Sequence, residues 1–483
     1  MWKLPAFAIA AAVHSGEVSA REVVDSHLDR IAEVNPRANA VTQLLADRAR
    51  AAARETDRAR AAGERLGPLA GVPFTVKECI RVEGVPTTFG TPRFRDLTAP
   101  ADAIPVARLR AAGAIPIGHS NMPTLILAGM HTRSELYGDT RNPWDAARTP
   151  GGSSGGDGVA VATGMAPLGL GNDSGGSVRI PAVFCGVAAL TPTTGRFAAD
   201  QRMLGPDDPG PASQVLVTDG PLARTVADLR LAYEILAGPD PRDPRAVPAP
   251  LYGEPLGGPP RVAVVADPGG HGVHPAVRRA VEAAAAALRD AGYEVEEVPD
   301  VPRLDEALET YHRLAVTEFA PSWPTVRQLL GEGGDRFIEL TMRSAPPADA
   351  AGLIRLMSTW MNVRRSWTEF LAEHPLLLGP VFTEPPVEPG LESRDQAGRD
   401  RVAMAMRLCS VTSFVGVPAV AVPTGLDADG LPAGVQLVGR PFREDLCLAA
   451  AQHIEDRLGT LTPIDPRGDG ARPAQHGLRA NQP

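Results

Sequence analysis

TPGGSSGGDGVAVATGMAPLGLGNDSGGSVRIPAVFCGVAALTPTTGRF, residues 149–197, decides how the rest of this 483-residue chain is interpreted. Two glycine-flanked serine clusters, residues 151–156 and 175–177, bracket residues 159–170, which are almost wholly apolar or small. Such a run is typical of a protein interior. Glycines beside a hydroxyl open backbone conformations closed to other residues and let a substrate approach the main chain closely. These are the features that a nucleophile and an oxyanion site need.

Two other interpretations of these serine clusters are possible. Gly/Ser clusters are more often flexible linkers, but a linker joins polar segments, and these clusters flank apolar sequence and precede VRIPA at residues 178–182. Residues 152–156 also fit G-x-S-x-G, which would make Ser154 a nucleophile served by a later Asp and a His such as His453. A strand should precede such an elbow, yet RTP stands at residues 148–150, so this alternative is the weaker one.

The order of these motifs resembles the amidase signature family. The family pattern of a GGSSGG cluster, an apolar run, a D-x-G-G-S-x-R-x-P-A block and an F-C-G segment occurs here without gaps, ending at residues 184–186. An upstream block, GVPFTVKE at residues 71–78, has Glu78 where the family usually has Asp. Further blocks lie downstream at residues 416–423 and 434–441, so the likeness spans roughly residues 5–460.

This resemblance implies the fold and the domain organisation. The fold class is α/β, with a large mixed twisted β-sheet core flanked by helices on both faces. Residues 1–464 should form one amidase domain, with the signature core at roughly 67–200 and a peripheral α/β part at roughly 238–400. The Pro-, Gly- and Arg-rich residues 465–483 are expected to be a disordered tail.

The resemblance also implies a catalytic triad of Lys77, Ser153 and Ser177. Ser177 would attack the amide carbonyl, Ser153 would relay its proton, and Lys77 would be the final base. A serine needs such an activating base at neutral pH. Ser153 would follow a cis peptide bond from Gly152. No metal and no cofactor is expected.

Other residues of the block have implied supporting roles. Backbone N–H groups are expected to form the oxyanion hole at Ser174, Gly175, Gly176 and Ser177. The residues implied to orient or support the site are Ser154, Asp173 and Arg179.

Lys77 can be interpreted either as an ordinary surface lysine or as a catalytic base. A lysine after an apolar strand, here residues 72–76, is usually a solvated strand end. The match to the family's lysine block favours the catalytic interpretation. Because a lysine in water titrates near ~10.4, a useful base at neutral pH requires burial that lowers its pKa towards ~7–8.

Composition limits the partners. A net charge of -9 and a pI of about 5.7, without a basic stripe, argue against nucleic acid and anionic membranes. The four cysteines (Cys79, Cys185, Cys409 and Cys447) form no C-x-x-C pair and are expected to be reduced. No apolar run approaches the ~20 residues of a membrane span, so we expect a cytoplasmic protein. The expected partner is a small-molecule amide substrate, and a homodimer is left open.

The rival from another functional class is a glutamine-dependent amidotransferase component, which releases ammonia from glutamine for a partner and shares this family. Such components carry an acidic residue before the G-x-P-A block, whereas this chain has Met406-Arg407-Leu408. This departure favours a free-standing amidase. Relatives often have T-E-N or T-D-N where residues 132–134 read TRS, and Lys is common where His119 stands. Substrate choice is therefore left open.

Periodicity predicts the surrounding elements. SARE at residues 19–22 is a capping box for a helix that should end at Asn35-Pro36, with His14 and His27 on the surface. Residues 262–298 predict a β-α-β unit that extends the same sheet. Residues 300–375 should be helical, and four of their large side chains either line a pocket or simply pack: Trp323, Met357, Trp360 and Met361.

Overall fold

One mixed β-sheet organises the molecule in the computed structural model, which describes residues 1–200, 202, 207–331 and 333–467. Within these residues, 11 strands form the sheet and two short strands pair separately. The strands in chain order are β1 (Val41–Leu44), β2 (Pro73–Lys77), β3 (Ile115–Ser120), β4 (Arg133–Ser134), β5 (Gly138–Asp139), β6 (Leu168–Asp173), β7 (Ala188–Thr191), β8 (Thr218–Ala223), β9 (Arg261–Val264), β10 (Glu294–Glu297), β11 (Leu376–Pro380), β12 (Ala419–Leu426) and β13 (Pro432–Gly439). The order in the sheet is β1-β3-β2-β6-β8-β7-β12-β13-β11-β9-β10.

Helices surround this sheet. In chain order they are α1 (Ala6–Ser15), α2 (Ala20–Ala38), α3 (Ala46–Ala61), α4 (Ile104–Ala111), α5 (Gly155–Ala162), α6 (Arg179–Cys185), α7 (Pro211–Leu216), α8 (Val226–Leu236), α9 (Pro275–Asp290), α10 (Leu304–Phe319), α11 (Trp323–Leu329), α12 (Gly334–Ser344), α13 (Ala350–Glu373), α14 (Leu391–Arg394), α15 (Gln396–Ala405), α16 (Arg407–Val415) and α17 (Glu444–Leu458). Short 3₁₀ helices lie at Pro92–Phe94, Thr124–Ile126, Pro268–Gly270 and Ala320–Ser322.

Both faces of the sheet are buried. Along β11, Leu376 and Leu378 belong to one core cluster, whereas Leu377 between them belongs to another. Because successive side chains of a strand point to opposite faces, each cluster lies on its own side of the sheet. This explains the near-continuous apolar runs of the strands, and it confirms the predicted α/β class with helices on both faces.

The predicted β-α-β unit is confirmed. β9 and β10 pair in parallel, and β9 also pairs in parallel with β11. α9 begins with Pro275, and the side chain of His274 accepts the N–H of Ala276. The unit therefore extends the same sheet, as the two strand-like segments and the helical period between them predicted.

The start of the chain confirms two predictions and corrects two. Ser19 and Glu22 form the capping box of α2, and His14 is exposed. The predicted surface position of His27 is wrong, because this ring is buried on the apolar face and its Nδ1 lies 2.8 Å from the carbonyl of Val23. The predicted stop before Pro36 is also wrong, since α2 runs on to Ala38.

The large side chains of the helical segment do not share one environment. Trp360 and Met357 pack against a core cluster, Trp323 packs against another, and Met361 is 49% exposed. For these residues packing explains more than a common pocket does.

The end of the chain lies mostly outside the described residues. Within the predicted tail 465–483, the structure describes residues 465–467, and there Asp465 accepts from Arg30 at 2.6 Å. Residues 468–483 are not among the described residues. In the described part of the chain, no helix combines the length and apolarity that a membrane crossing requires. The cytoplasmic location stays a prediction.

Candidate active site

Lys77 ends the buried strand β2 and is itself 0% exposed. Its Nζ donates to the hydroxyl of Ser153 at 2.6 Å and to Oδ1 of Asn172 at 2.6 Å. Both acceptors are neutral, and among the described residues no carboxylate is hydrogen-bonded to the amine. Burial lowers the pKa of Lys77 below its ordinary value, in the direction that the sequence predicted.

Ser153 is brought to Lys77 by the turn that precedes α5. The Gly152–Ser153 peptide bond is cis, as the resemblance implied. Glycine is required at position 152 because a Cβ there would overlap the carbonyl oxygen of Met130. Thr132 donates to the carbonyl of Gly151 at 2.8 Å and so fixes the approach to the turn.

Ser154 is the N-cap residue of α5, and its side chain makes no capping hydrogen bond. Its N–H donates to the carbonyl of Ser177 at 3.0 Å, and its hydroxyl donates to the carbonyl of Asn172 at 3.3 Å. The chain before it is a loop, and His453 lies on α17 with its ring against Tyr293. The strand-turn-helix frame of a nucleophile elbow is therefore missing at Ser154.

Ser177 lies in the turn between β6 and α6 and is half-buried. In the described residues its hydroxyl makes no hydrogen bond, either to Ser153 or to another group. Most of the surrounding block is fully buried, whereas Asn172, Ser174 and Ser177 keep some exposure. The open side of this turn is therefore where a ligand can reach the chain.

The carboxylate of Asp173 shapes the turn that carries Ser177. It accepts the N–H groups of Gly175 at 3.1 Å, Gly176 at 2.7 Å and Val178 at 3.1 Å. Within the described residues, the N–H groups of Ser174 and Ser177 donate to no group. Of the four N–H groups named for an oxyanion hole, two hold Asp173 and two are available.

Arg179 compensates the charge of Asp173, and both side chains are fully buried. Arg179 also donates to Thr412 at 2.6 Å and to Gln436 at 2.7 Å, which ties α6 to α16 and β13. Burial opposes ionisation of Asp173, but the guanidinium and the backbone N–H groups outweigh it and hold the pKa of the carboxyl well below its usual range. These two residues thus support the turn from behind.

Asp173→Ala is expected to lower the free energy of unfolding by about 3–5 kcal/mol, because it leaves Arg179 buried and unpaired. Urea unfolding followed by circular dichroism measures this loss. The control is Asp335→Ala, which breaks an ion pair with the 54%-exposed Arg327 and should cost under about 1 kcal/mol. Equal losses in the two variants would contradict the role of the buried pair.

Two residues near the predicted set were not identified from the sequence. Asn172 accepts from Lys77 and donates through Nδ2 to Sγ of Cys79 at 3.3 Å. Its position one residue before Asp173 was the available signal. The hydroxyl of Tyr311, on α10, lies so near Gly175 that a Cβ there would overlap it. No sequence signal connects Tyr311 with Gly175, because the two residues are far apart in the chain.

The two positions at which this chain differs from the usual family residues, His119 and residues 132–134, are mostly buried. His119 is buried on β3, and burial lowers its pKa to about 4. Ser134 is buried and donates to Asn121 at 2.8 Å, whereas Arg133 is exposed. His119 and Ser134 are therefore internal residues, whereas the side chain of Arg133 is open to solvent.

An apolar cluster borders the site on the side of Cys79. We call it the Cys79 cluster; this half-buried cysteine packs against a buried set that comprises Phe89, Met122, Leu125, Leu330 and Ile338. Partly buried side chains extend it, among them Ile126, Leu127, Trp323 and Phe337. Because Cys79 also contacts Asn172, the cluster begins next to the partner of Lys77.

Comparison with known proteins gives consistent matches. A family model described as Amidase matches residues 22–448. Indoleacetamide hydrolase of Bradyrhizobium diazoefficiens is 40% identical over 466 residues, which cover 95% of this chain and 88% of the relative. The solved structure of a bacterial aryl acylamidase matches with a TM-score of 0.82 at 28% identity, covering 94% of this chain and 96% of that one. The structure of a 6-aminohexanoate cyclic dimer hydrolase also matches with a TM-score of 0.82, at 29% identity, with 96% and 99% covered.

Proposed function

Because this chain belongs to the amidase signature family, we propose that it cleaves its amide substrate through an acyl-enzyme on Ser177, with Ser153 as proton relay and Lys77 as base. The chain is an amidase, which hydrolyses the C–N bond of a carboxylic amide. The observation that supports these residue roles is the 2.6 Å hydrogen bond between the buried Lys77 and Ser153, beside the half-buried Ser177, whose hydroxyl makes no hydrogen bond within the described residues.

Acylation begins when the Ser177 hydroxyl attacks the carbonyl carbon. As the new C–O bond forms, the Ser177 proton passes to Ser153, and the Ser153 proton passes to the neutral amine of Lys77. Negative charge develops on the carbonyl oxygen. The N–H groups of Ser174 and Ser177 can donate hydrogen bonds to this oxygen and so stabilise the charge. Losing one such donor typically costs about 2.7–4 kcal/mol of transition-state stabilisation.

The relay then runs backwards. Lys77 returns a proton to Ser153, and Ser153 gives its proton to the amide nitrogen, so that the C–N bond breaks and the amine leaves. Water attacks the resulting ester through the same relay, which releases the acid and restores the Ser177 hydroxyl. The protons balance over the cycle, and Lys77 ends neutral.

We further propose that the acyl part of the substrate is apolar and contains an aryl ring. The Cys79 cluster supports this, because its aromatic and aliphatic side chains pack with Cys79, whose Sγ accepts from Asn172, the partner of Lys77. Apolar pockets with a few placed polar groups are typical of small-molecule sites. The relative named as an indoleacetamide hydrolase agrees with this chemistry, since indoleacetamide carries its ring in the acyl part.

A panel of amides tests the substrate proposal. Indole-3-acetamide, phenylacetamide, acetanilide, hexanamide and glutamine are compared by kcat/KM, with ammonia or amine release as the readout. We expect the arylacetamides to be hydrolysed fastest. Preference for hexanamide would contradict the aryl proposal. Preference for glutamine would favour the amidotransferase-like alternative. That alternative is less well supported, because those proteins carry an acidic residue in the segment where this chain has Arg407, and Arg407 pairs with Asp267 at 2.7 Å.

Ser153→Ala is expected to lower kcat by about 10³-fold or more with little change in KM, because the relay acts mainly in the transition state. Steady-state kinetics on the best amide of the panel measures both constants. The control is Ser358→Ala, which removes an exposed hydroxyl of α13. Near-normal kcat in Ser153→Ala would remove Ser153 from the mechanism.

A further inference from the structure

A buried carboxylate lies on the same side of the sheet as Lys77, and the steps above do not use it. Asp157, on α5, is 0% exposed, and its Oδ1 accepts the hydroxyl of Thr75 at 2.7 Å. Thr75 and Lys77 are alternate residues of β2, so their side chains point to the same face of the sheet. Asp157 therefore occupies the layer into which Lys77 projects.

Ser120 completes this layer from the neighbouring strand. It stands opposite Lys77 in the parallel pair of β2 and β3, so its side chain is on the same face. The Ser120 hydroxyl is buried with Oδ2 of Asp157, and its interaction with this carboxyl lowers the pKa of Asp157, as does that of Thr75. The two hydroxyls therefore hold the carboxylate in the layer that Lys77 enters.

We propose that Asp157 is a positioning residue that sets the basicity of Lys77. This role rests on the proposed function, because it requires Lys77 to be the base. When Lys77 takes the relayed proton, an ammonium forms in a buried site whose direct acceptors, Ser153 and Asn172, are neutral. A carboxylate in the adjoining layer stabilises that ammonium, and it does so without touching the substrate.

The other groups near Lys77 are less suited to this role. Asp173 is compensated by Arg179, and burial raises the pKa of the Cys79 thiol to about 12, so that it stays neutral. Burial raises the pKa of both Asp157 and Asp219, and of the nearby carboxylates Asp157 raises the pKa of Lys77 most strongly, ahead of Asp173 and Asp219. Of the remaining titratable groups near these elements, His119 and Cys185 are neutral at neutral pH, and Glu78 has a pKa that burial raises to about 7, with its charge held by hydrogen bonds from Thr88.

Asp157→Asn tests the role, because the amide keeps an acceptor for Thr75 and removes the charge. The readout is the pH dependence of Ser177 labelling by a fluorophosphonate, together with kcat/KM on the best amide. A nearby carboxylate favours the ammonium, so its loss lets Lys77 deprotonate at lower pH. We expect the rising limb to move down by about one to two pH units, the size of a charge pair at an effective dielectric near 20.

Two further variants make the result decisive. Asp228→Asn removes another buried carboxylate, one that accepts N–H groups of Ala6 and Phe7 on α1, and should leave the limb unmoved. Thr75→Val keeps the Asp157 carboxylate but removes its hydrogen bond, which raises its pKa and should move the limb the same way by less. A wild-type limb in folded Asp157→Asn overturns the role; if that variant does not fold, a wild-type limb in Thr75→Val does. A wild-type protein without labelling or without a limb would overturn the proposed function instead.

Discussion

Ser177→Ala is expected to abolish amide hydrolysis and acyl-enzyme formation and to leave the fold intact. The hydroxyl is the only group lost, and in the described residues it makes no hydrogen bond that the fold would miss. Removing the nucleophile of a serine hydrolase costs on the order of 10⁴- to 10⁶-fold in kcat. Turnover of the best amide and thermal unfolding together measure the effect.

The matched control for this variant is Ser410→Ala. Ser410 is a buried serine of α16 whose hydroxyl has no partner among the described residues, so the same atom is removed elsewhere in the core. The kcat of Ser410→Ala should stay within about tenfold of the wild-type value, because the substitution should change only the stability, and by little. Substantial turnover in Ser177→Ala would assign the nucleophile to another residue.

Lys77→Arg is expected to be as damaging as Lys77→Ala, with kcat/KM reduced by about 10³-fold or more. Burial lowers the pKa of Lys77, so the neutral amine becomes more abundant as pH rises, and the activity of the wild-type protein should rise on one limb and then level off. An arginine keeps its proton in proteins and cannot act as the base. The pH dependence of kcat/KM, recorded for the wild type and both variants, measures this.

His453→Ala serves as the control for the pH limb. This histidine belongs to the Ser154 alternative, and it lies on α17 against Tyr293. Its removal should leave the limb unchanged. The Ser-Ser-Lys mechanism would be wrong if Lys77→Arg kept the wild-type profile, or if His453→Ala removed the limb.

Local patterns predicted the elements that their own residues determine. The continuous apolar run of residues 262–265 and the helical period of residues 277–288 predicted β9 and α9, because the strand is buried on both faces and the helix on one. The glycines of residues 151–156 predicted a backbone that other residues could not adopt, and a Cβ at Gly152 would indeed overlap the carbonyl oxygen of Met130. In these places local chemistry and the global fold agree.

Contacts between distant segments could not be predicted in the same way. His27 looked like a surface residue because a histidine has no strong preference, yet α2 turns it towards the core. Asp157 and Thr75 meet only because β2 pairs with β6 beneath α5, and Tyr311 reaches Gly175 only because α10 packs over that end of the sheet. Sheet order decides these contacts, and a single sequence does not reveal it.

The oxyanion turn shows a finer limit. The motif names four N–H groups, but their availability depends on the conformation of the turn. Asp173 accepts two of them, which leaves those of Ser174 and Ser177 available. The motif predicts which residues form the turn, and the backbone geometry determines which donors face the open side.

Mapping the covalent adduct of a fluorophosphonate by peptide mass spectrometry tests the central claim most directly. The serines at issue, Ser153, Ser154 and Ser177, fall in the two serine clusters, so fragment ions distinguish them. We predict a single adduct on Ser177, absent from Ser177→Ala and strongly slowed in Lys77→Arg. An adduct on Ser154 or Ser153, or labelling of Ser177→Ala at the wild-type rate, would contradict the account.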